Sequence, residues 1–438
     1  MTTGHPRTNR RAVIERACLL VVSVLVTLEL VSNLYYSSIE GGLFYVRSSP
    51  ETGRPASVDG PRLQLDPYFG FSRMEGTSVQ QIVEGTTSLQ DILREEYGNE
   101  PPPAWLGTET NNYGFFSDED YPTQSSDDFV IALFGGSVAE RFFLQGKERL
   151  VARLSEGNPS VRLLCFAHSA FKQPQQLLVL SYFLSLGQQF DLIVNLDGVN
   201  EAGMGLGNEE NNVAFFAPWH SYMNGLAMFA SGTAEEEAKF YVARMTLLEA
   251  DIARLEEKRR QAMFATQFLL TDLRLKTRQS AYRELAATSS KPGSSVMQEL
   301  VRMVPGQTPG DVEQSIALHW ARSSAIMNVL AREAGAHYIH VLQPNQYYGQ
   351  RVFSERESRR ALSPKSPFRH SVIRVYPLLL EHGEKLASDG VDFVNATAVF
   401  NGVTDPVYSD DCCHLTRRGN EVLADFLAER ILPWLPNR

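Results

Sequence analysis

Three short apolar runs, 129–134, 161–166 and 190–196, recur with a helix-length segment between each pair. Runs of this length, rich in Val, Ile, Leu and Phe and without polar alternation, are expected of strands buried on both faces. The segments between them, 139–155 ending near Gly157 and 173–186 stopping at Gly187, read as helices. Parallel neighbours need crossover connections, and a sheet buried on both faces needs a layer on each side, so the pattern predicts α/β architecture. Thr308-Pro309-Gly310-Asp311 then opens a helix whose apolar face runs through Val312, Ile316, Trp320, Met327 and Leu330. Residues 338–342 predict a fourth strand, 366–387 include a helix, 391–394 form a short fifth strand and 416–431 a closing helix.

Residues 17–36 are apolar except for Glu29, Ser32 and Asn33, and Arg7, Arg10, Arg11 and Arg16 precede them. About twenty apolar residues span a bilayer as a helix, and flanking arginines stay in the cytoplasm. The expectation is a single-pass anchor in the cell inner membrane, with a cytoplasmic tail at 1–16 and the rest extracytoplasmic. A cleaved signal peptide is the alternative; Ser37-Ser38-Ile39-Glu40 matches a cleavage site poorly. Glu29 is the weakest point of the anchor. A formal charge of -10, from 41 basic and 51 acidic residues, argues against a nucleic-acid partner.

Residues 37–60 read as a linker, and 61–127 as a lead-in of short strands and turns marked by Asp66-Pro67, the prolines 101–103 and Asn111-Asn112. The main domain is expected over 128–438 with an insertion at 202–310. Within it, 202–232 reads as a loop rich in Gly and Asn that still has Phe215, Phe216, Trp219, Tyr222 and Met223 to bury. Thr233 with Glu236 matches a capping box, and the seam Tyr241, Met245, Leu248, Ile252, Leu255 predicts a long helix, with no Gly or Pro before Pro292. That helix has three candidate roles: a cap over the cleft, self-association through 233–287, or a brace for the sheet.

The first strand ends at Phe134-Gly135-Gly136-Ser137, where two glycines let the backbone turn sharply and present a serine at the carboxyl end of a parallel strand. That is the edge at which open α/β sheets bind ligands. Ser409-Asp410-Asp411-Cys412-Cys413-His414 stands just before the closing helix. A carboxylate at Asp411, three residues ahead of His414, can fold back to hold one imidazole nitrogen and leave the other for the serine proton. Gly198-Val199-Asn200-Glu201 follows the third strand at the same edge. Each piece alone also serves as a turn or a helix entrance.

These three blocks, in this order, resemble the SGNH (GDSL-like) hydrolase superfamily over roughly 128–201 and 336–433. The resemblance implies a three-layer α/β/α fold with a flavodoxin-like parallel five-stranded sheet. It also implies a serine esterase or O-acyltransferase in which Ser137 is the nucleophile, His414 the base and Asp411 its partner. Gly135, Gly136 and Gly198 support the blocks, and the oxyanion would be held by the Ser137 N–H, the Asn200 amide and a backbone N–H after the second strand. The family carries a glycine at that last place. Here 165–173 has none, so Ala170 or Ser169 must serve. The substrate expected by analogy is an O-acyl ester on a surface or exported polysaccharide, with no cofactor and no metal. The alternative is a catalytically idle domain that binds glycan or scaffolds an envelope assembly.

The four cysteines are expected as free thiols, with a bridge from Cys165 to Cys412 or Cys413 as the other option. His168 lies next to the proposed site as a structural residue or a substrate contact. His337 and His340 point to opposite faces of their strand and do not share a metal.

Overall fold

The computed structural model describes residues 10–40, 42–46, 63–84, 102–123, 127–156, 160–223, 261–289, 311–364 and 366–436, with isolated residues at 90–98 and 244–259. Two units emerge, Met1–Val58 with Ala234–Gly293, and Asp59–Thr233 with Ser294–Arg438.

The first element, α1 (Arg10–Glu40), belongs to the smaller unit. Among the described residues it is the one helix long and apolar enough to cross a membrane, over Glu15–Ile39 at a mean hydropathy of 2.2.

In the larger unit an antiparallel hairpin, β1 (Leu63–Asp66) and β2 (Gly70–Arg73), leads to the short α2 (Val79–Glu84). Then strand and helix alternate: β3 (Phe129–Gly135), α3 (Ser137–Ser155), β4 (Val161–Ala167), α4 (Gln175–Ser185), β5 (Leu192–Asp197) and α5 (Val199–Glu210). The smaller unit takes α6 (Ala265–Ser289), and the larger resumes with α7 (Val312–Glu333) and β6 (His337–Leu342). It closes with α8 (Glu355–Ala361), α9 (Pro367–Ser388), β7 (Asp392–Asn395) and α10 (Arg417–Ile431). All five strands of the main sheet are parallel, in the order β4-β3-β5-β6-β7. Every residue of β3 and β5 is buried, as continuous apolar runs require. Helices flank the sheet, α3 against α10 and α7 against α9.

Register places the chemistry. Gly135 pairs with Ala167 on one side and Leu196 on the other, so β3, β4 and β5 end level. The residues that follow them therefore share one edge.

Besides the helix α2 in a lead-in expected to hold short strands and turns, two expectations fail. The stretch after Asn200 is not a loop from 202 onward: α5 continues to Glu210 despite three glycines. Glycine costs a helix about 1 kcal/mol against alanine, but tertiary packing overrides it. Here Gly203 lies against the Phe368 ring of α9, where a Cβ would come within 2.6 Å of Cδ1. Glu201 completes the helix start by accepting from the Gly198 and Gln173 N–H groups, each at 2.8 Å.

The long insertion helix is also broken. Residues 261–264 are not helical, and α6 begins at Ala265. No local Gly or Pro causes this. The Gln267 side chain accepts from the Met263 N–H at 2.9 Å, and Glu29 of α1 caps α6 by accepting from the Ala265 N–H, the Thr266 N–H (3.2 Å) and the Thr266 hydroxyl (2.6 Å). Tyr35 donates to Asp272 at 2.7 Å further along the pair. The carboxylate that looked out of place in the anchor thus satisfies the open N–H groups of a second helix. Thr233, Glu236, Tyr241 and Met245 lie outside the described residues.

Candidate active site

Gly135 ends β3 at φ +147°, and a Cβ there would stand 2.1 Å from the Leu196 carbonyl oxygen, so only glycine allows the strands to close so near the turn. Ser137 is the first residue of α3, two residues earlier than the sequence suggested for the helix start. On the far side of the cleft, the 409–416 turn is closed by the Ser409 N–H donating to the His414 carbonyl at 2.9 Å, and Thr416 caps α10 through the Gly419 N–H at 3.1 Å. This turn brings His414 Nε2 to 2.8 Å from Ser137 Oγ.

The carboxylate on the other imidazole nitrogen is that of Asp410, not Asp411. Asp410 Oδ1 accepts from the backbone N–H groups of Cys412 (3.0 Å), Cys413 (3.1 Å) and His414 (3.2 Å), which leaves Oδ2 facing His414 Nδ1. Asp411 contributes through its backbone instead: its carbonyl accepts from the Tyr347 hydroxyl at 2.8 Å and the Ser366 hydroxyl at 2.7 Å. An acidic pair offers two candidates, and the fold of the turn selects the one whose second oxygen is left over.

Burial would push Asp410 up, but His414 and the surrounding donors hold it well below the usual carboxylate range. For His414, burial and Arg141 pull downward, while Asp410 and Cys413 more than offset them, so the imidazole sits above its ordinary value.

Three donors converge near Ser137. Its own N–H belongs to the first turn of α3, where helical N–H groups have no helical partner. Asn200 Nδ2 donates to the Phe171 carbonyl at 2.8 Å, leaving its second hydrogen, and a Cβ on Gly136 would come within 2.2 Å of that nitrogen. Of the two candidates after β4, Ser169 has its N–H committed to Glu140 Oε1 at 3.3 Å. Ala170 stands at φ +67°, a conformation that favours glycine, and its N–H has no partner among the described residues. Ser137, Ala170, Asn200 and His414 all line one cavity of about 370 Å³.

Sequence reading missed a buried ion pair beside this cavity. Arg73 of β2 reaches Glu140 of α3, with an Nη2 to Oε2 distance of 3.0 Å and both side chains 5% exposed. The Ser169 hydroxyl donates to the same carboxylate at 2.5 Å. Glu140 stands three residues after Ser137, a spacing visible in the sequence, but nothing local points to Arg73. Arg141 also lines the cavity and was not singled out.

His168 is buried and lowered to about 3 by burial and by Arg73, so it is neutral, with Nδ1 at 2.8 Å from the Ser169 carbonyl. A second Ser/His/Asp chain, Ser324, His340 and Asp197 at 2.6 and 2.8 Å, is fully buried and cannot meet a substrate. Cys165, Cys412 and Cys413 are free thiols. Cys412, Cys413 and His414 place three ligand atoms within 4.8 Å of one another, but both imidazole nitrogens are already engaged by Asp410 and Ser137.

No family model matches the chain, and no curated protein matches it. Among solved structures it is similar to a GDSL-like lipase from Bacteroides thetaiotaomicron VPI-5482, at 9% identity and a TM-score of 0.35, covering 71% of this chain and 92% of that one. It is also similar to a lipase from a goat-rumen metagenome, at 11% identity and a TM-score of 0.36, covering 71% of this chain and 100% of that one. Chains so loosely alike need not share chemistry. What stands on its own is a parallel five-stranded α/β sheet that brings a serine, a histidine and an aspartate into line at one edge.

Proposed function

We propose that this chain is an extracytoplasmic serine esterase, anchored in the inner membrane by α1, that removes or transfers O-acyl groups on a surface or exported polysaccharide. The observation that carries the reading is Ser137 Oγ at 2.8 Å from His414 Nε2, with Asp410 on the other nitrogen. Ser137 attacks the ester carbonyl carbon as its proton passes to His414, and Asp410 orients and balances the imidazolium. The negative charge that develops on the carbonyl oxygen is met by the Ser137 N–H, the Ala170 N–H and the Asn200 amide. Collapse breaks the bond to the alcohol, which leaves with the proton from His414, and an acyl group remains on Ser137. Water or a sugar hydroxyl then repeats the two proton transfers in reverse order.

The glycan part of the reading is supported by location, an apolar span preceded by arginines. The rival reading, an idle glycan-binding or scaffolding domain, drew on the missing glycine. Ala170 at φ +67° takes a conformation that glycine favours, and its N–H has no partner among the described residues, which supports the enzyme reading. Labelling of the full-length protein by a fluorophosphonate, lost in Ser137→Ala, is the expected result. No labelling of the folded protein overturns the enzyme reading, and release or transfer of acyl groups from an O-acylated polysaccharide tests the substrate.

A further inference from the structure

The cavity at Ser137 is larger and less polar than the chemistry alone requires. Past its polar floor the walls are Val79, Ile82 and Val83 of α2, Leu93, Trp105 and Leu144 of α3. Residues 79, 82 and 83 share one face of α2, and Leu144 lies two turns along α3 from Ser137, so the wall extends away from the nucleophile. Of the polar groups that line the cavity, Arg141 and His168 Nε2 have no hydrogen-bond partner among the described residues, while those beside the apolar wall are paired. Glu140 is held by Arg73 and Ser169, and Trp105 Nε1 donates to the Tyr97 hydroxyl at 3.4 Å. A sugar pressed against these six side chains would find few partners for its hydroxyls, which is costly, whereas an alkyl chain gains by leaving water. A volume of about 370 Å³ falls within the range of whole small-molecule sites and leaves room for both the acyl and the alcohol part of an ester.

We infer that the lead-in, through α2, Leu93 and Trp105, forms with Leu144 a pocket for the acyl chain of the ester, and that the acyl group is an apolar chain longer than acetyl. Direction follows from the proton transfer. The leaving oxygen must face His414 Nε2 to receive its proton, which puts the alcohol beside that imidazole, and we give the lead-in wall to the acyl group. The inference rests on the esterase reading and names its substrate class: an alcohol, such as a glycan hydroxyl, acylated with a medium-length aliphatic chain.

The test uses the full-length protein in lipid nanodiscs and the p-nitrophenyl esters of acetate, butyrate, hexanoate and octanoate. The expected result is a rise in kcat/KM of about four-fold for each buried methylene until the pocket is filled. Val83→Trp, which fills the wall, lowers the octanoate-to-acetate ratio by at least ten-fold, and Leu144→Phe on another element lowers it in the same direction. A flat chain-length series, or a ratio unchanged in both variants while Ser137-dependent turnover persists, overturns the pocket and leaves the esterase standing. A dependence on alcohol length in alkyl acetates that Val83→Trp removes overturns the acyl assignment. Radiolabelled octanoate binding to Ser137→Ala separates the two readings when no turnover is seen: binding lost in Val83→Trp upholds the pocket without the enzyme, and no binding overturns it.

Discussion

Arg73 in the hairpin and Glu140 in the first turn of the serine helix form a buried ion pair, so a segment outside the α/β sheet is tied to the helix that presents Ser137. Burial alone would raise Glu140, but the Arg73 guanidinium holds it below its ordinary value. Removing one partner strands the other charge in a poorly solvated place. Arg73→Met is therefore expected to cost about 3–5 kcal/mol of stability, and pairing it with Glu140→Leu should recover much of that. Urea unfolding followed by tryptophan fluorescence reads both values; equal losses in the single and double variants would contradict this account.

The two adjacent aspartates separate cleanly. Asp410→Asn should reduce kcat about 10⁴-fold, because the amide cannot stabilise the imidazolium and favours the wrong tautomer. Asp411→Asn keeps the backbone carbonyl that Tyr347 and Ser366 use, so its kcat should stay within about three-fold of the parent on the same ester, inside the range of an ordinary surface change.

His414 must be unprotonated to accept the serine proton, so kcat/KM is expected to fall as pH drops through its raised pKa, with a midpoint above the ordinary 6.5. Arg141 is one of the influences that lower this value. Arg141→Gln should therefore move the acid limb to higher pH, and Asp410→Asn, measured on its residual activity, should move it to lower pH. Shifts in the opposite directions would reject the assignment.

Gly136 leaves room for the Asn200 amide. Gly136→Ala would place a Cβ 2.2 Å from Asn200 Nδ2, displacing that donor, and the loss of one oxyanion donor costs about 100- to 1000-fold in kcat. KM should change little, and circular dichroism should show the fold retained.

Much of this molecule could be read from local pattern. The runs at 129–134, 161–166 and 190–196 became three parallel strands because continuous apolar sequence has no exposed face to offer. The Gly-Gly-Ser turn and Asn200 came together because β3 and β5 end level at one edge, and the 409–416 turn brings His414 to them. Local pattern misjudged α5, where the glycines looked like loop but Gly203 answers to the Phe368 ring, Gly205 to Ile316 and Gly207 to Trp219.

By itself, then, the amino-acid order was enough for the sheet, the serine-bearing turn and the apolar span, since period, length and turn chemistry act between near neighbours, and the resemblance of its blocks pointed to His414. It could not choose between Asp410 and Asp411, match Arg73 to Glu140, or foresee that Glu29 would cap a helix beginning at Ala265. Each of these depends on how a turn closes or on which partner arrives from far along the chain. Such choices are made by distances and leftover hydrogen-bonding capacity, which exist only once the chain has packed.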